Sequence, residues 1–382
     1  MAVRGRRRGL LLLLFLLFLG AAIGWAAWWQ LVGRWHESTD NAYVAGHVVQ
    51  VTPQIAGTVA AIGADDTDRV QAGQVLVRLD AADAQVALGQ AEAQLAQAVR
   101  EVRTLYTRNA SLEALQSQRA SELAKAEEDL ARRRPLAVTG AVSKEEVEHA
   151  RSAVEAARAA LLASREDLVT NRVRTEGTAV SNHPGVATAA ARVRDAFLAL
   201  QRTAIAAPVA GYIARRTVQV GQRVAPGAVM MAVVPLESVW VDANFKEVQL
   251  RNMRIGQPVR LSADVYGSRI EYRGTVAGLA AGTGGAFALL PPQNATGNWI
   301  KVVQRLPVRI ALDPGQLAAH PLLVGLSMHA VVEIRDTSGT QLAAAPRTNA
   351  VWAPAVFAKP AEDAEARVQA IIKANLGSVR TR

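Results

Sequence analysis

Six histidines, one glycine-rich turn and the absence of cysteine bound what chemistry this sequence can carry. His36, His47, His149, His183, His320 and His329 show no spacing that would set metal ligands together. His149 falls on a helical stretch without an acidic or histidine partner at metal-binding spacing matched elsewhere, and reads as solvent-exposed. Without cysteine there is no disulfide, thiol nucleophile, thiolate metal site or lipid-modified N-terminal cysteine. Gly282-Thr-Gly-Gly285 superficially resembles a phosphate loop, but no Lys-Ser/Thr follows it and no strand-to-helix context surrounds it, so it reads as a flexible loop. No nucleophile elbow, triad order or paired-carboxylate motif is present. The expectation is therefore a chain with no catalytic, cofactor or metal site, whose work is done by surfaces and by the elements that position them.

The most informative of those elements is a small pattern that occurs twice. Pro53-Gln-Ile-Ala-Gly57-Thr-Val59 is followed by Val70-Gln-Ala-Gly73, and Pro208-Val-Ala-Gly211-Tyr-Ile213 by Val224-Ala-Pro-Gly227. In each copy the valine stands 13 residues after the first glycine, and the second glycine 3 after the valine. Each copy reads as short strands with glycines at turns, too small to bury a core alone. Two halves facing each other make one β-sandwich. Whatever lies between must leave and re-enter at one place, so residues 81–206 are expected to project as a hairpin.

The hairpin shows in a ladder every seven residues. Leu88, Leu95, Val102, Asn109, Gln116, Leu123 and Leu130 form one row, with Ala91, Ala98, Leu105, Leu112, Arg119 and Ala126 as its companion. That is a coiled-coil seam with a polar middle, which either sets register or contacts neighbouring copies. Asp80 and Asp83 place negative charge at the start of the first helix, and Pro135 is expected to stop it. Ser143-Lys-Glu-Glu146 fits a capping box for the return helix, whose ladder is Val147, Val154, Leu161 and Leu168. Arms of about 50 residues at about 1.5 Å rise reach roughly 70 Å. Gly177 and Asn182-His-Pro184-Gly185 break the pattern and mark a joint near the base, before a last helix from about Val186 to Thr203.

At the N-terminus, Arg4, Arg6, Arg7 and Arg8 precede an uncharged run from Gly9 to Val32, about the length of a membrane-spanning helix. Trp25, Trp28, Trp29 and Trp35 cluster at its far end, where indole rings favour the lipid–water boundary. Arg6, Arg7, Arg8, Trp25, Trp28 and Trp29 are the expected anchor-interface residues. A cleaved signal peptide is the alternative, disfavoured by the length of the run and by the bulky tryptophans. The formal charge of +10 includes those four arginines, and no basic patch interleaved with aromatics appears, so nucleic acid is not an expected partner.

After Pro235, short alternations recur at Val239-Trp-Val241, Val259-Arg-Leu261, Arg273-Gly-Thr-Val276, Val308-Arg-Ile310 and Val331-Val-Glu-Ile334. They read as a small antiparallel barrel, to which Tyr43–Val51 is expected to add a strand. Leu289-Leu-Pro-Pro292 and Trp299 are open to two readings, a surface for a substrate or a partner protein and ordinary barrel packing. The tail carries an amphipathic stretch, Ala361–Asn375, with Val368, Ile371 and Ile372 on one side, expected to dock on the barrel.

Together these pieces resemble the membrane fusion (periplasmic adaptor) proteins of Gram-negative tripartite pumps, the HlyD-like class, over roughly Asp40 to Asp336. The local matches are Thr39-Asp-Asn-Ala-Tyr-Val44, Val241-Asp-Ala-Asn-Phe-Lys-Glu247, Asn252-Met-Arg-Ile-Gly-Gln-Pro258 and Gln293-Asn-Ala-Thr-Gly-Asn-Trp-Ile-Lys-Val-Val-Gln-Arg-Leu-Pro-Val308. The resemblance implies an α+β fold: a transmembrane helix, a lipoyl-like β-sandwich split by an antiparallel coiled-coil hairpin, and a membrane-proximal β-barrel. The implied organisation is a cytoplasmic tail (1–8), anchor (9–32), barrel strand (38–51), lipoyl-like halves (52–80 and 207–235), hairpin (81–206), barrel (236–345) and tail (346–382). Lipoyl carriers present a lysine at the turn between their halves; here the hairpin occupies that place, so no swinging-arm cofactor is expected. Members that engage TolC-like channels resemble one another at the hairpin tip in an Arg, a Leu four residues on and a Ser seven further, a pattern met by Arg132, Leu136 and Ser143. The competing reading makes Arg132 a solvated helix-end charge, Leu136 a turn staple and Ser143 a cap. The implied partners are an EmrB-like major-facilitator exporter in the inner membrane, a TolC-like outer-membrane channel, further copies of the chain and the membrane itself. The implied role is multidrug efflux, with an adaptor for ABC-driven secretion and a non-transporting envelope scaffold as alternatives.

Overall fold

Alternating burial along the strands, required where one face meets a core and the other water, builds the two β modules. The computed structural model describes residues 3–31, 33–287, 302–343, 345–346, 348 and 359–376. In chain order it runs through α1 (Val3–Leu31), β1 (His36–Ala45), β2 (Val49–Val51), β3 (Gly57–Ile62), β4 (Arg69–Val70), β5 (Val75–Leu79), α2 (Ala82–Val138) and α3 (Lys144–Val173). There follow α4 (Pro184–Gln201), β6 (Ala204–Ala206), β7 (Gly211–Arg216), β8 (Arg223–Val224), β9 (Met231–Val234) and β10 (Trp240–Lys246). The chain continues through β11 (Pro258–Ala263), β12 (Glu271–Leu279), β13 (Arg305–Leu312), α5 (Pro314–Ala319), β14 (Ser327–Glu333) and α6 (Lys359–Leu376).

The repeat explains the sandwich. Its sheets run β2-β9-β7-β4 and β6-β5-β3-β8, so each takes two strands from each half, and neither half has a sheet of its own. The repeated valines, Val70 and Val224, are both buried in the shared core with Val59, Leu76, Ile213 and Met231. The repeated glycines Gly73 and Gly227 both turn the chain with positive φ, 84° and 81°, the left-handed region that excludes most side chains.

The barrel closes in the order β1-β10-β13-β12-β11-β14, which removes free sheet edges. Val241, Ala243 and Phe245 alternate into its core with Leu261, Tyr272, Ile310 and Val332. At Gly274 an added Cβ would stand 2.6 Å from the Ala311 carbonyl oxygen, so this strand crossing admits only glycine. The expected barrel strand over 38–51 needs correcting. The barrel takes only His36–Ala45, while Val49–Val51 pairs with β9 in the sandwich. The chain switches modules at Gly46, where a Cβ would lie 2.9 Å from the Val324 side chain.

Between the sandwich halves stands the helical hairpin. α2 has 57 residues, about 85 Å at the usual rise. Pro135 does not stop it: the helix runs on to Val138. Proline loses its own N–H bond yet holds a φ that suits a helix, and only one turn remains. The stop is Gly140, with φ of 75°, where the Ala141 N–H bonds the Leu136 carbonyl at 3.0 Å and the Thr139 hydroxyl bonds it at 2.8 Å. On α3 the buried side is Ala150, Val154, Leu161, Ser164, Leu168 and Asn171, the alternating three- and four-residue spacing of a coiled-coil seam.

The tail helix corrects a second expectation. α6 does not dock on the barrel; it packs on α2 and α4 at the hairpin base. Val368 and Ile372 join Leu95, Val99, Val102, Val186 and Val193 in one apolar cluster. Arg367 grips Glu92 through two bonds of 2.7 and 3.2 Å, Arg194 pairs with Glu365 at 2.8 Å, and Arg100 donates to Asn375 at 2.8 Å. An apolar stripe announces that a helix needs a partner face, not whose face it is.

Candidate functional site

The hairpin tip places the three residues expected there at one end of the molecule, each held by its own local bond. Arg132 lies on the penultimate turns of α2, and its guanidinium donates to Asp129 Oδ1 at 2.7 Å while remaining 72% exposed. That bond, with Arg133 2.7 Å from the other oxygen, holds the Asp129 carboxyl below its usual range. Leu136 is 41% exposed and Val138 is 89% exposed, so the tip presents apolar side chains to solvent. Ser143 is the N-cap of α3: its hydroxyl accepts from the Glu146 N–H at 3.2 Å, and the Ser143 N–H donates to Glu146 Oε2 at 2.9 Å. The backbone bond first, then the hydroxyl, holds the Glu146 carboxyl below its usual range. Ser143 thus has the capping role that the sequence allowed.

Behind the tip, the polar middle of the seam is a closed set of bonds across the hairpin. Asn171 Nδ2 donates to Asn109 Oδ1 at 2.8 Å and to the Leu105 carbonyl at 2.9 Å, while Asn109 Nδ2 donates to Thr175 Oγ1 at 2.8 Å. Arg172–Glu113 at 2.7 Å and Arg158–Glu127 at 3.2 Å cross the same seam. The Asn109 position therefore acts on register, one of the two readings left open by its sequence. Asn171 escaped notice because it falls on the companion row of α3, which lacks the long apolar residues that make a ladder visible.

At the joint, two residues the sequence did not single out by role, Tyr106 and His183, hold the chain. The Tyr106 hydroxyl is 3.1 Å from the Thr175 carbonyl and also meets that of Thr178. His183 caps α4 by accepting from the Gly185 N–H at 3.1 Å, and its other ring nitrogen lies 2.9 Å from the Arg174 carbonyl. Its ring thus bridges the two sides of the break. His149 is exposed as expected, 3.7 Å from Glu145. Among the described residues no group of three metal-binding side chains forms.

At the other end, α1 is long and apolar enough to cross a membrane, with an 18-residue window of mean hydropathy 1.6 inside Leu13–Trp35 and none of that window buried. Trp25, Trp28 and Trp29 are 66%, 55% and 50% exposed, and the rings of Trp25 and Trp29 stack at 6.2 Å. Arg6, Arg7 and Arg8 fall within the bounds of α1, with their side chains outside the described set. Leu289-Leu-Pro-Pro292 and Trp299 lie outside the described residues. The Gly282–Gly285 segment is a turn closed by the Ala286 N–H on the Thr283 carbonyl at 3.0 Å.

An apolar helix joined to a closed barrel, a sandwich split between two chain halves and a long hairpin with an exposed tip define an adaptor of the membrane fusion class. Residues 82–203 match the family model of the EmrA α-helical hairpin domain. The chain is 45% identical over 356 residues to the multidrug export protein EmrA of Escherichia coli strain K12, covering 93% of this chain and 91% of that one. It is 51% identical over 296 residues to the fatty acid resistance protein FarA of Neisseria gonorrhoeae, covering 77% of this chain and 75% of that one. The chain belongs to the EmrA family of membrane fusion proteins.

Proposed function

We propose that this chain is the periplasmic adaptor of a multidrug efflux pump, anchored in the inner membrane with its N-terminus cytoplasmic, linking a major-facilitator exporter to a TolC-like outer-membrane channel. The observation that carries the reading is the relatedness to the EmrA multidrug export protein over 93% of the chain. The architecture supports it: a membrane-compatible helix at one end and, on an arm about 85 Å long, an exposed tip holding Arg132, Leu136 and Val138. The mechanism is assembly, not catalysis. Copies of the chain would surround the exit path, the anchor and barrel would hold the exporter, and the tips would meet the channel. Arg132 supplies a charged donor and Leu136 an apolar knob, while Ser143 shapes the turn that presents them. Energy comes from the exporter, and the adaptor adds no bond-breaking chemistry.

The test is photo-crosslinking in intact cells from a photoreactive residue at Leu136, with the exposed mid-hairpin position Ala124 as control. An adduct to an outer-membrane channel from position 136 and not from 124 is expected. Adducts only to other copies of the chain would remove the tip assignment and leave an envelope scaffold.

A further inference from the structure

The end of the barrel nearest the anchor has a second membrane-facing character besides α1. Strand register defines that end. His36 pairs with Glu333, Lys246 pairs with Arg305, and Gln249 Nε2 donates to the Ser38 carbonyl at 3.0 Å. The start of β1, the ends of β10, β12 and β14 and the start of β13 therefore share one rim. The rim is tied directly to the anchor: the Ile334 N–H donates to the Trp35 carbonyl at 2.8 Å, and Arg335 Nη2 reaches the Leu31 carbonyl at 3.4 Å.

Among the described residues, no element covers a set of apolar side chains at this rim. Val248, Phe287, Val302, Val303 and Leu342 are 71%, 73%, 63%, 57% and 63% exposed. Around them stand five exposed cations, Arg34, Lys246, Arg251, Arg305 and Arg335, against the exposed carboxylates Glu247, Glu333 and Asp336. Exposed apolar residues also occur at the opposite rim, as Val265 at 59% and Leu323 at 56%, so apolarity alone does not decide the partner. Position does. Between the Trp28–Trp29 belt and β1 lie six residues, 30–35, of which the described ones form the end of α1 and the 3-10 turn Gly33–Trp35. At about 1.5 and 2 Å rise per residue, those segments span only about 10 Å. The headgroup layer is of similar thickness, about 5–8 Å on each side of the hydrocarbon. With the tryptophans at the interface, the rim stands at the outer edge of the headgroup layer, within side-chain reach of the lipid.

We propose that the anchor-side rim of the barrel is a lipid-contact surface, with Val248, Phe287 and the Val302–Val303 pair entering the headgroup layer and the surrounding cations meeting anionic phospholipid headgroups. The inference rests on the anchoring of α1 described above. It makes the bilayer a second support for the barrel, holding the hairpin's direction relative to the membrane normal instead of leaving it to swing from one helix.

The absence of cysteine makes a clean test. Single substitutions Val248→Cys, Val302→Cys, Leu323→Cys and Trp28→Cys in the full chain carry an environment-sensitive fluorophore. Each is reconstituted without any exporter into nanodiscs of phosphatidylcholine, with or without phosphatidylglycerol, bearing a headgroup-level quencher. Quenching several-fold stronger at 248 and 302 than at 323, rising with phosphatidylglycerol, is expected. Labels at 248 and 302 quenched no more than at 323, with the 28 label strongly quenched, would overturn the rim contact and leave the anchor intact. An unquenched label at 28 would overturn the anchoring, and the rim contact with it. Protection at 248 and 302 that arises only when an exporter is added would show that protein, not lipid, covers the rim.

Discussion

Replacing Val368 by alanine should loosen α6 from the hairpin base without unfolding the hairpin. Val368 has 0% exposure within the cluster shared with Leu95, Val99 and Val193. The substitution removes two buried methyl groups, worth about 1.6 kcal/mol at about 0.8 kcal/mol each. The hole left between three helices adds to this, giving about 2 kcal/mol. At about 1.4 kcal/mol per decade, the population of undocked α6 should rise about thirtyfold. Native-state hydrogen exchange followed by mass spectrometry reads this directly, because α6 amides exchange through local opening. The α6 peptide should exchange about thirtyfold faster, while peptides from the distal parts of α2 and α3 keep their rates. Unchanged α6 exchange would mean that the ion pairs at Arg367–Glu92 and Arg194–Glu365 hold the helix and the apolar cluster does not. Equal acceleration across the whole hairpin would mean that α6 is part of one cooperative unit and not a separate clasp.

Asn109→Ala should destabilise the hairpin by about 1–3 kcal/mol, since it removes two hydrogen bonds across the seam, to the Asn171 amide and the Thr175 hydroxyl, at about 0.5–1.5 kcal/mol each. Replacing Asn109 and Asn171 together by leucine should recover most of that loss, and chemical denaturation separates the two variants. Ser143→Ala should cost about 1 kcal/mol at the start of α3, seen as faster exchange there. Ser143→Asp keeps a capping oxygen, so export equal to the unaltered protein in a drug-resistance assay would show that Ser143 acts as a cap, and lost export with α3 intact would show a contact role. Docking of α6 should also weaken in acid. Arg194 first, then Gln369, holds the Glu365 carboxyl below its ordinary 4.5. The docked helix therefore binds fewer protons than the free one in that window, and the stabilisation present above 4.5 is lost as pH falls through the lower folded value. Glu365→Gln should flatten this pH response of α6 exchange; an unchanged response would assign it elsewhere.

The parts of the fold legible in the sequence were those whose physics is local and periodic. The seven-residue ladders made the hairpin visible because a seam must recur along each helix whatever lies around it. The Gly-Val-Gly repeat made the sandwich visible because Gly73 and Gly227 occupy the same left-handed turn in both halves. Interleaving of the halves was not legible, since strand order depends on contacts between segments that the pattern of either one does not encode. The same limit explains α6. Val368, Ile371 and Ile372 mark a face, but the partner is settled by Glu92, Arg100 and Arg194, which lie far along the chain and carry no signal of their own.

The tip shows the limit from the other direction. Arg132, Leu136 and Ser143 were found as a spacing, and the structure gives each an intramolecular partner or a turn to support. That does not compete with a role in docking, because the bonds fix what the tip displays. The Ser143–Glu146 box sets the entry of α3, and the Leu136 carbonyl, bonded by Ala141 and Thr139, closes the turn. Together they leave the Leu136 and Val138 side chains pointing into solvent on a short, fixed loop. A contact made at the end of an arm this long needs such fixation, since freedom at the tip would have to be lost on docking. The base meets the matching demand. α2, α4 and α6 form a three-helix cluster there, whereas no residue of α2 beyond Val102 is fully buried. Stiffness is concentrated where the arm leaves the sandwich, and the distal arm relies on its polar seam for register.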